Sequence, residues 1–239
     1  MRVGKASDIS DFDWHGCRDI LVLAPHPDDF DVIAVTLRRL QSAGKRVNVV
    51  VARGGSGVDD GYRPGLDLAG KAALREKEQR ASAAFFGLPP ESMEFVDFEN
   101  GPDDQMIESA RNLDLLRSIL SEKAPDLVFL PHGNDSNSAH RAMYALFKQA
   151  LLDLDRHIPA LLVCDPKTID MRLDIYTPFG ADDAAWKAQM LCFHDSQQQR
   201  NIKSRGRGFD ERILDVNRRT AARLGIDSEF AEAFERDMS

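Results

Sequence analysis

The amino-acid sequence predicts an α/β fold, a doubly wound and mainly parallel sheet with helices on both faces. Three observations carry that expectation. Short apolar runs alternate with amphipathic stretches along most of the chain. The 239 residues are 43% hydrophobic, which is ample for a buried core and suits one domain over 1–239. No internal repeat or low-complexity tract points to another architecture.

The elements follow in order. Residues near 19–25 read as a strand, 30–43 as a helix and 46–52 as a second strand. The segment 54–65, opening Gly54-Gly55-Ser56-Gly57, holds too many glycines for regular structure and is long for a connection, as loops that line sites often are. Its glycines form neither GxGxxG nor a phosphate-cradling loop, so no nucleotide site is expected there. A helix near 70–87, a strand near 93–97, a helix near 105–122, a strand near 126–131, a helix near 139–153 and a strand near 159–164 continue the alternation. Beyond 165 the pattern loosens. Arg172-Leu173-Asp174-Ile175-Tyr176 reads as a strand, 182–199 as a helix, 201–209 as a basic glycine-bearing loop and 210–224 as a last helix. Phe230 and Phe234 should dock the final segment on the body.

Composition removes several function classes. A formal charge of −8 and a pI near 5.3 argue against nucleic-acid binding, which draws its affinity from basic residues. The local cluster Lys203, Arg205 and Arg207 reads as a solvated loop. Cys17, Cys164 and Cys192 are odd in number and lack CxxC spacing, which fits free thiols in a reducing cytoplasm. No apolar h-region follows Met1, and no run of about twenty apolar residues occurs, so neither secretion nor membrane insertion is expected. A homo-oligomer is compatible with the sequence, but no patch decides it.

Chemistry concentrates after two apolar strands. Leu21-Val22-Leu23-Ala24 leads into Pro25-His26-Pro27-Asp28-Asp29, and Leu127-Val128-Phe129-Leu130-Pro131 leads into His132, Asp135, Asn137 and His140. Ligands of doubly wound sheets bind beyond the carboxyl ends of strands, where strand order reverses. If these two strands flank that point, His26, Asp29 and His140 converge on one metal. Two imidazoles and a carboxylate suit zinc with an open catalytic position, although the same set accepts iron(II) or cobalt. Asp28 adjoins a ligand but points elsewhere, as a general base for water requires. The competing reading is that Asp28 and Asp29 merely cap a helix. His132 reads as a loop or outer-sphere histidine, and Asp135 as a cap or an orienter of a ligand histidine. His15 and His157 read as surface residues.

These residues resemble the LmbE-like, PIG-L-type family of metal-dependent N-deacetylases over most of the chain. The resemblance implies a Rossmann-like fold and removal of acetyl groups from N-acetylglucosamine-bearing substrates. By Pro25-His26-Pro27-Asp28-Asp29 it implies His26 and Asp29 as zinc ligands and Asp28 as general base. By the block from Pro131 to Ala142 it implies His140 as third ligand. Weaker echoes, Arg53-Gly54, Arg75 with Glu78, and Phe98-Glu99-Asn100-Gly101, make Arg75 and Asn100 candidate sugar contacts. Arg75 and Glu78 also suit a surface pair at helical spacing. Lys187, His194, Ser196 and Gln197 resemble a late pattern whose role is structural.

The departures are specific. Phe30 and Val32-Ile33-Ala34-Val35 stand where the family has Glu and a glycine pair. Asn137 stands where it has a histidine, and Ala139 where it has an aspartate. Asparagine donates a neutral hydrogen bond to an oxyanion but delivers no proton to a leaving amine. Asp28 is therefore expected to do both jobs, taking a proton from the attacking water and returning it to the departing nitrogen. An amidase for another acyl group keeps the same chemistry with a different pocket. A non-catalytic sugar or nucleotide binder on the same fold is the rival from another class. A dinucleotide-dependent dehydrogenase lacks its glycine fingerprint, since Pro25 and Pro27 follow the first strand.

Overall fold

In the computed structural model, which describes residues 6–237, Ile20, Val22 and Ala24 face one apolar layer and Leu21 and Leu23 the other. The strand they form, β2 (Asp19–Ala24), is therefore buried on both faces, as parallel strands under helices are. The same alternation buries β3 (Arg46–Ala52) and β5 (Leu127–Pro131). With β1 (Ser7–Asp8), β4 (Met93–Val96), β6 (Ala160–Val163), β7 (Ile175–Phe179) and β8 (Phe230–Asp237) they make an eight-stranded sheet in the order β1-β7-β8-β6-β5-β2-β3-β4. All pairings are parallel except those of β8 with β6 and β7.

Seven α-helices among the described residues cover the faces: α1 (Ala34–Ser42), α2 (Leu68–Phe86), α3 (Ala110–Lys123), α4 (Ser138–Asp153), α5 (Ala181–Leu191), α6 (Asp195–Arg205) and α7 (Phe209–Leu224). The helices α3 and α4 share one apolar layer, and α1, α2, α5 and α7 line the other. The sheet is thus the doubly wound, mainly parallel one predicted from the sequence. From β2 the chain winds outward to β3 and β4, then returns to place β5 on the other side of β2, with Leu21 opposite Val128. The reversal of strand order falls between β2 and β5, and both motif segments leave the sheet at that point.

Several elements differ from expectation, each for a local reason. The helix expected from 105 begins at Ala110, because Ser109 accepts the Asn112 amide as a cap and an Asn100–Met106 bridge keeps the preceding loop extended. The helix expected over 182–199 is two helices: a turn at Cys192–His194 carries His194 into the interior, where Nε2 lies 3.1 Å from Asp31 Oδ2. The expected basic loop 201–209 is helical as far as Arg205 and stops at Gly206, whose φ of 72° needs glycine. The late strand starts at Ile175 rather than Arg172 and runs through Pro178. Its neighbour β1 reaches only Tyr176, and Pro178 O accepts from Arg39 Nη2 at 2.5 Å, so the proline sits where the edge is open. Phe230 and Phe234 do dock, as part of a strand that the charged Phe230–Asp237 segment conceals.

Glu232 of that strand anchors the helix behind the site. It accepts from the Val35 and Thr36 amides at 3.0 and 2.7 Å and from Lys187 Nζ at 2.6 Å, with both side chains fully buried. Lys187 also donates to Val32 O and Asn217 Oδ1. Replacing Lys187 by methionine leaves a buried carboxylate uncompensated and is expected to destabilise the protein by about 3–5 kcal/mol in chemical denaturation. The double variant Lys187→Met/Glu232→Gln recovers part of that loss. An unchanged midpoint in the single variant contradicts the role assigned to the pair.

Candidate active site

The turn after β2 is held from behind. Asp28 has φ 113°, a strained value for a residue with a Cβ, and its amide donates to Gln79 Oε1 of α2 at 2.7 Å. Gln79 Nε2 in turn donates to Asp31 Oδ2 at 2.8 Å, and Ser82 Oγ donates to Asp31 Oδ1. Arg75, 2% exposed, donates to Asp28 Oδ2 at 2.7 Å, to Ser56 O at 2.7 Å and to Pro27 O. The α2 helix therefore fixes where both oxygens of Asp28 point. Among the described residues Oδ1 accepts no hydrogen bond, and Asp28 borders a cavity of about 260 Å³.

His26, Asp29 and His140 come together. Asp29 Oδ2 lies 3.3 Å from His26 Nδ1 and accepts from the His26 amide at 2.8 Å, while Oδ1 lies 3.4 Å from His140 Nε2. One donor atom from each residue lies within 4.8 Å of the others. His140 Nε2 is buried without a hydrogen-bond partner, an arrangement that costs free energy unless something binds it. Two imidazole nitrogens, one of them without a hydrogen-bond partner, and a carboxylate fit a divalent cation, and these three residues are the ones that would hold it. Asp135 Oδ2 lies 3.1 Å from His140 Nδ1, and its Oδ1 accepts the Asn137 amide at 2.7 Å. That contact selects the tautomer that leaves Nε2 free.

The electrostatics agree. Burial alone would raise the Asp29 carboxyl, but His140 and His26 outweigh it and hold it well below the usual carboxylate range. Burial alone would depress His140, but Asp29, with Asp135, pushes it up to about 10. A metal must displace that proton. Below about pH 10 the apparent affinity for Zn²⁺ should therefore weaken about tenfold for each unit by which pH falls, measured by competition with a chelating dye. A pH-independent affinity contradicts displacement of a proton from this cluster.

The other candidates fall in different places. Asn137 caps α4 by accepting the Ala139 amide at 2.9 Å, and it borders the cavity with no partner on Nδ2 among the described residues. His132 is turned away, accepting the Asn134 amide at Nδ1 and placing Nε2 3.3 Å from Glu235. Asn100 donates to Asp104 and is not among the residues that border the cavity. Glu78 accepts from Ser196 N and Oγ, joining α2 to α6. Cys17, Cys164 and Cys192 are free thiols, and no described helix is long and apolar enough to cross a membrane.

Two residues escaped the sequence reading. Gln105 Oε1 lies 3.0 Å from His26 Nε2, and nothing marks a lone glutamine in a loop. Asp165 groups with Asp135 and His140 within 4.8 Å, and burial raises its carboxyl. It follows an apolar strand, as Asp29 does, and the same rule would have found it.

Comparisons with known proteins bear on the family and the fold. The family model described as "PIG-L: GlcNAc-PI de-N-acetylase" matches residues 21–151. No curated protein matches the sequence. Among solved structures, the N,N'-diacetylchitobiose deacetylase of Pyrococcus horikoshii in complex with an inhibitor has a TM-score of 0.75 and 19% identity, over 94% of this chain and 85% of that one. The 4-carboxy-2-hydroxymuconate hydratase GalB of Pseudomonas putida has 0.71 and 17%, over 93% and 97%. The zinc-inhibited teicoplanin deacetylase Orf2 has 0.63 and 17%, over 91% and 98%. At such identities the likeness is one of fold.

Proposed function

The chain belongs to the PIG-L family of GlcNAc-PI de-N-acetylases, and from that premise we propose that it is a zinc-dependent hydrolase that removes an acetyl group from an N-acetylated amino sugar or glycoconjugate. One observation carries the reading: the donor atoms of His26, Asp29 and His140 converge beside a cavity that Asp28 and Asn137 also border. Free cysteines suit a cytoplasmic setting.

His26, Asp29 and His140 would hold a zinc ion, which would supply Lewis-acid polarisation and lower the pKa of water to about 7. Asp28 Oδ1, unoccupied and aimed by Arg75 and Gln79, takes the proton of the attacking water. Asn137 Nδ2 donates to the oxyanion as the acetamide carbonyl becomes tetrahedral. Asp28 then returns its proton to the nitrogen, the C–N bond breaks, and acetate and the free amine leave. In this scheme Arg75 positions the base, and Asp135 orients His140.

Acetate release from a panel of N-acetylated sugars tests the reading. Release from at least one sugar, abolished by a chelator and restored by Zn²⁺, is expected. Metal-loaded protein that releases acetate from none contradicts it and favours the non-catalytic binder, and release of another acid instead favours an amidase with a different acyl group. Asn137→Ser keeps the helix cap but shortens the oxyanion donor, so kcat should fall ~10²–10³-fold with an unchanged melting temperature. Full activity would remove Asn137 from the scheme.

A second reading rests on a specific observation. His132 points away and Asn137 replaces the family histidine, so the ligand His26 is the one imidazole that borders the cavity. Addition of water to a carbon–carbon double bond needs no proton for a leaving amine, and a hydratase shares the fold. Loss of conjugated absorbance without acetate release would favour it.

A further inference from the structure

The basic residues near the site divide into two groups. Lys203 and Arg207 are paired, with Asp59 and Asp215 at 2.9 and 3.2 Å. Lys167, Arg200, Arg205 and Arg212 make no ion pair among the described residues, and the one hydrogen bond from their head groups runs from Arg205 to Ser204 Oγ. These four border the catalytic side of the molecule. Lys167 and Arg200 line the 260 Å³ cavity together with Asp28. Both also line an adjoining cavity of about 60 Å³ that Arg205 and the half-buried Arg212 complete. Arg200 further borders an outer cavity of about 400 Å³ beside Tyr62.

None of the carboxylates that face this wall forms an ion pair with these four cations among the described residues. Asp28 is held by Arg75, Asp29 by two imidazoles, and Asp165 Oδ1 accepts the Lys167 amide at 2.7 Å. The cations therefore keep their hydrogen-bonding capacity for a ligand. In a chain of net charge −8 such a patch is a local reversal of sign, and a concave wall focuses its field on incoming anions. Guanidinium groups suit phosphate and carboxylate oxygens in particular. All four residues lie beyond residue 151, outside the segment that the family model matches.

We propose that Lys167, Arg200, Arg205 and Arg212 receive a phosphate or carboxylate group carried by the substrate, so that the natural ligand is an anionic conjugate rather than a neutral sugar. The inference rests on the deacetylase reading for the rest of that ligand. It is tested by calorimetric binding to the Zn²⁺-supplemented protein of N-acetylglucosamine 1-phosphate, N-acetylmuramic acid and the neutral methyl glycoside of N-acetylglucosamine. At least one anionic ligand should bind about tenfold or more tightly than the neutral one, and the two arms identify phosphate or carboxylate. Added salt should shrink the preference, and Arg200→Gln and Arg212→Gln should each reduce it. Equal affinities, no binding, or a preference untouched by both substitutions overturns the proposal. Preferential anion binding with no acetate released instead sinks the deacetylase reading and leaves the anion site standing.

Discussion

Replacing Asp28 by asparagine is expected to lower kcat by ~10²–10⁴-fold while metal content stays at the wild-type value, and loss of the buried ion pair with Arg75 should lower the melting temperature. Asparagine accepts φ 113° at least as readily as aspartate, keeps an amide for Gln79 and retains an oxygen for Arg75 Nη2. What it loses is the ability to hold a proton at Oδ1. His26, Asp29 and His140 are untouched, so steady-state kinetics beside elemental analysis separates loss of the base from loss of the metal. Wild-type kcat in this variant would show that another group moves the proton, and the scheme with one bifunctional carboxylate would fall.

His140→Gln carries the other large effect. Removing an outer-sphere partner of a ligand costs 10–100-fold in metal affinity or activity, and removing a ligand costs at least ~10²-fold. His140 is 1% exposed between Asp29 and Asp135, so alanine would leave two buried carboxylates facing a void. Glutamine retains a donor within reach of Asp135 and keeps the test on metal binding rather than on folding. Zn²⁺ titration should show the weakened affinity, and acetate release should disappear with it. Unchanged affinity would mean that His140 is no ligand.

The features that the sequence disclosed are those with a strong local cause. Apolar runs such as Leu21–Ala24 and Leu127–Leu130 must be buried, and their sheet order follows from the rules of parallel connection. An imidazole and two carboxylates after one such run, with a second polar cluster after another, then lie at one end of neighbouring strands. Hidden features depend on distant partners. The charged segment Phe230–Asp237 is a strand because β6 and β7 leave room for it, and its Glu232 has a use only once Lys187 and α1 are in place. The break at His194 answers to Asp31, more than 160 residues earlier in the chain. The resemblance makes Arg75 a candidate sugar contact and helical spacing also suits a surface pair with Glu78, yet both residues are buried and committed to other segments, Arg75 to Asp28 and Glu78 to Ser196. Spacing reports which residues share a helix face and not what that face meets.

Anomalous diffraction at the zinc edge from crystals grown with Zn²⁺ tests the central claim most directly. The predicted result is a peak ligated by His26, Asp29 and His140, open toward the cavity that Asp28 borders. A peak that leaves out His140, or none beside Asp29, would contradict it.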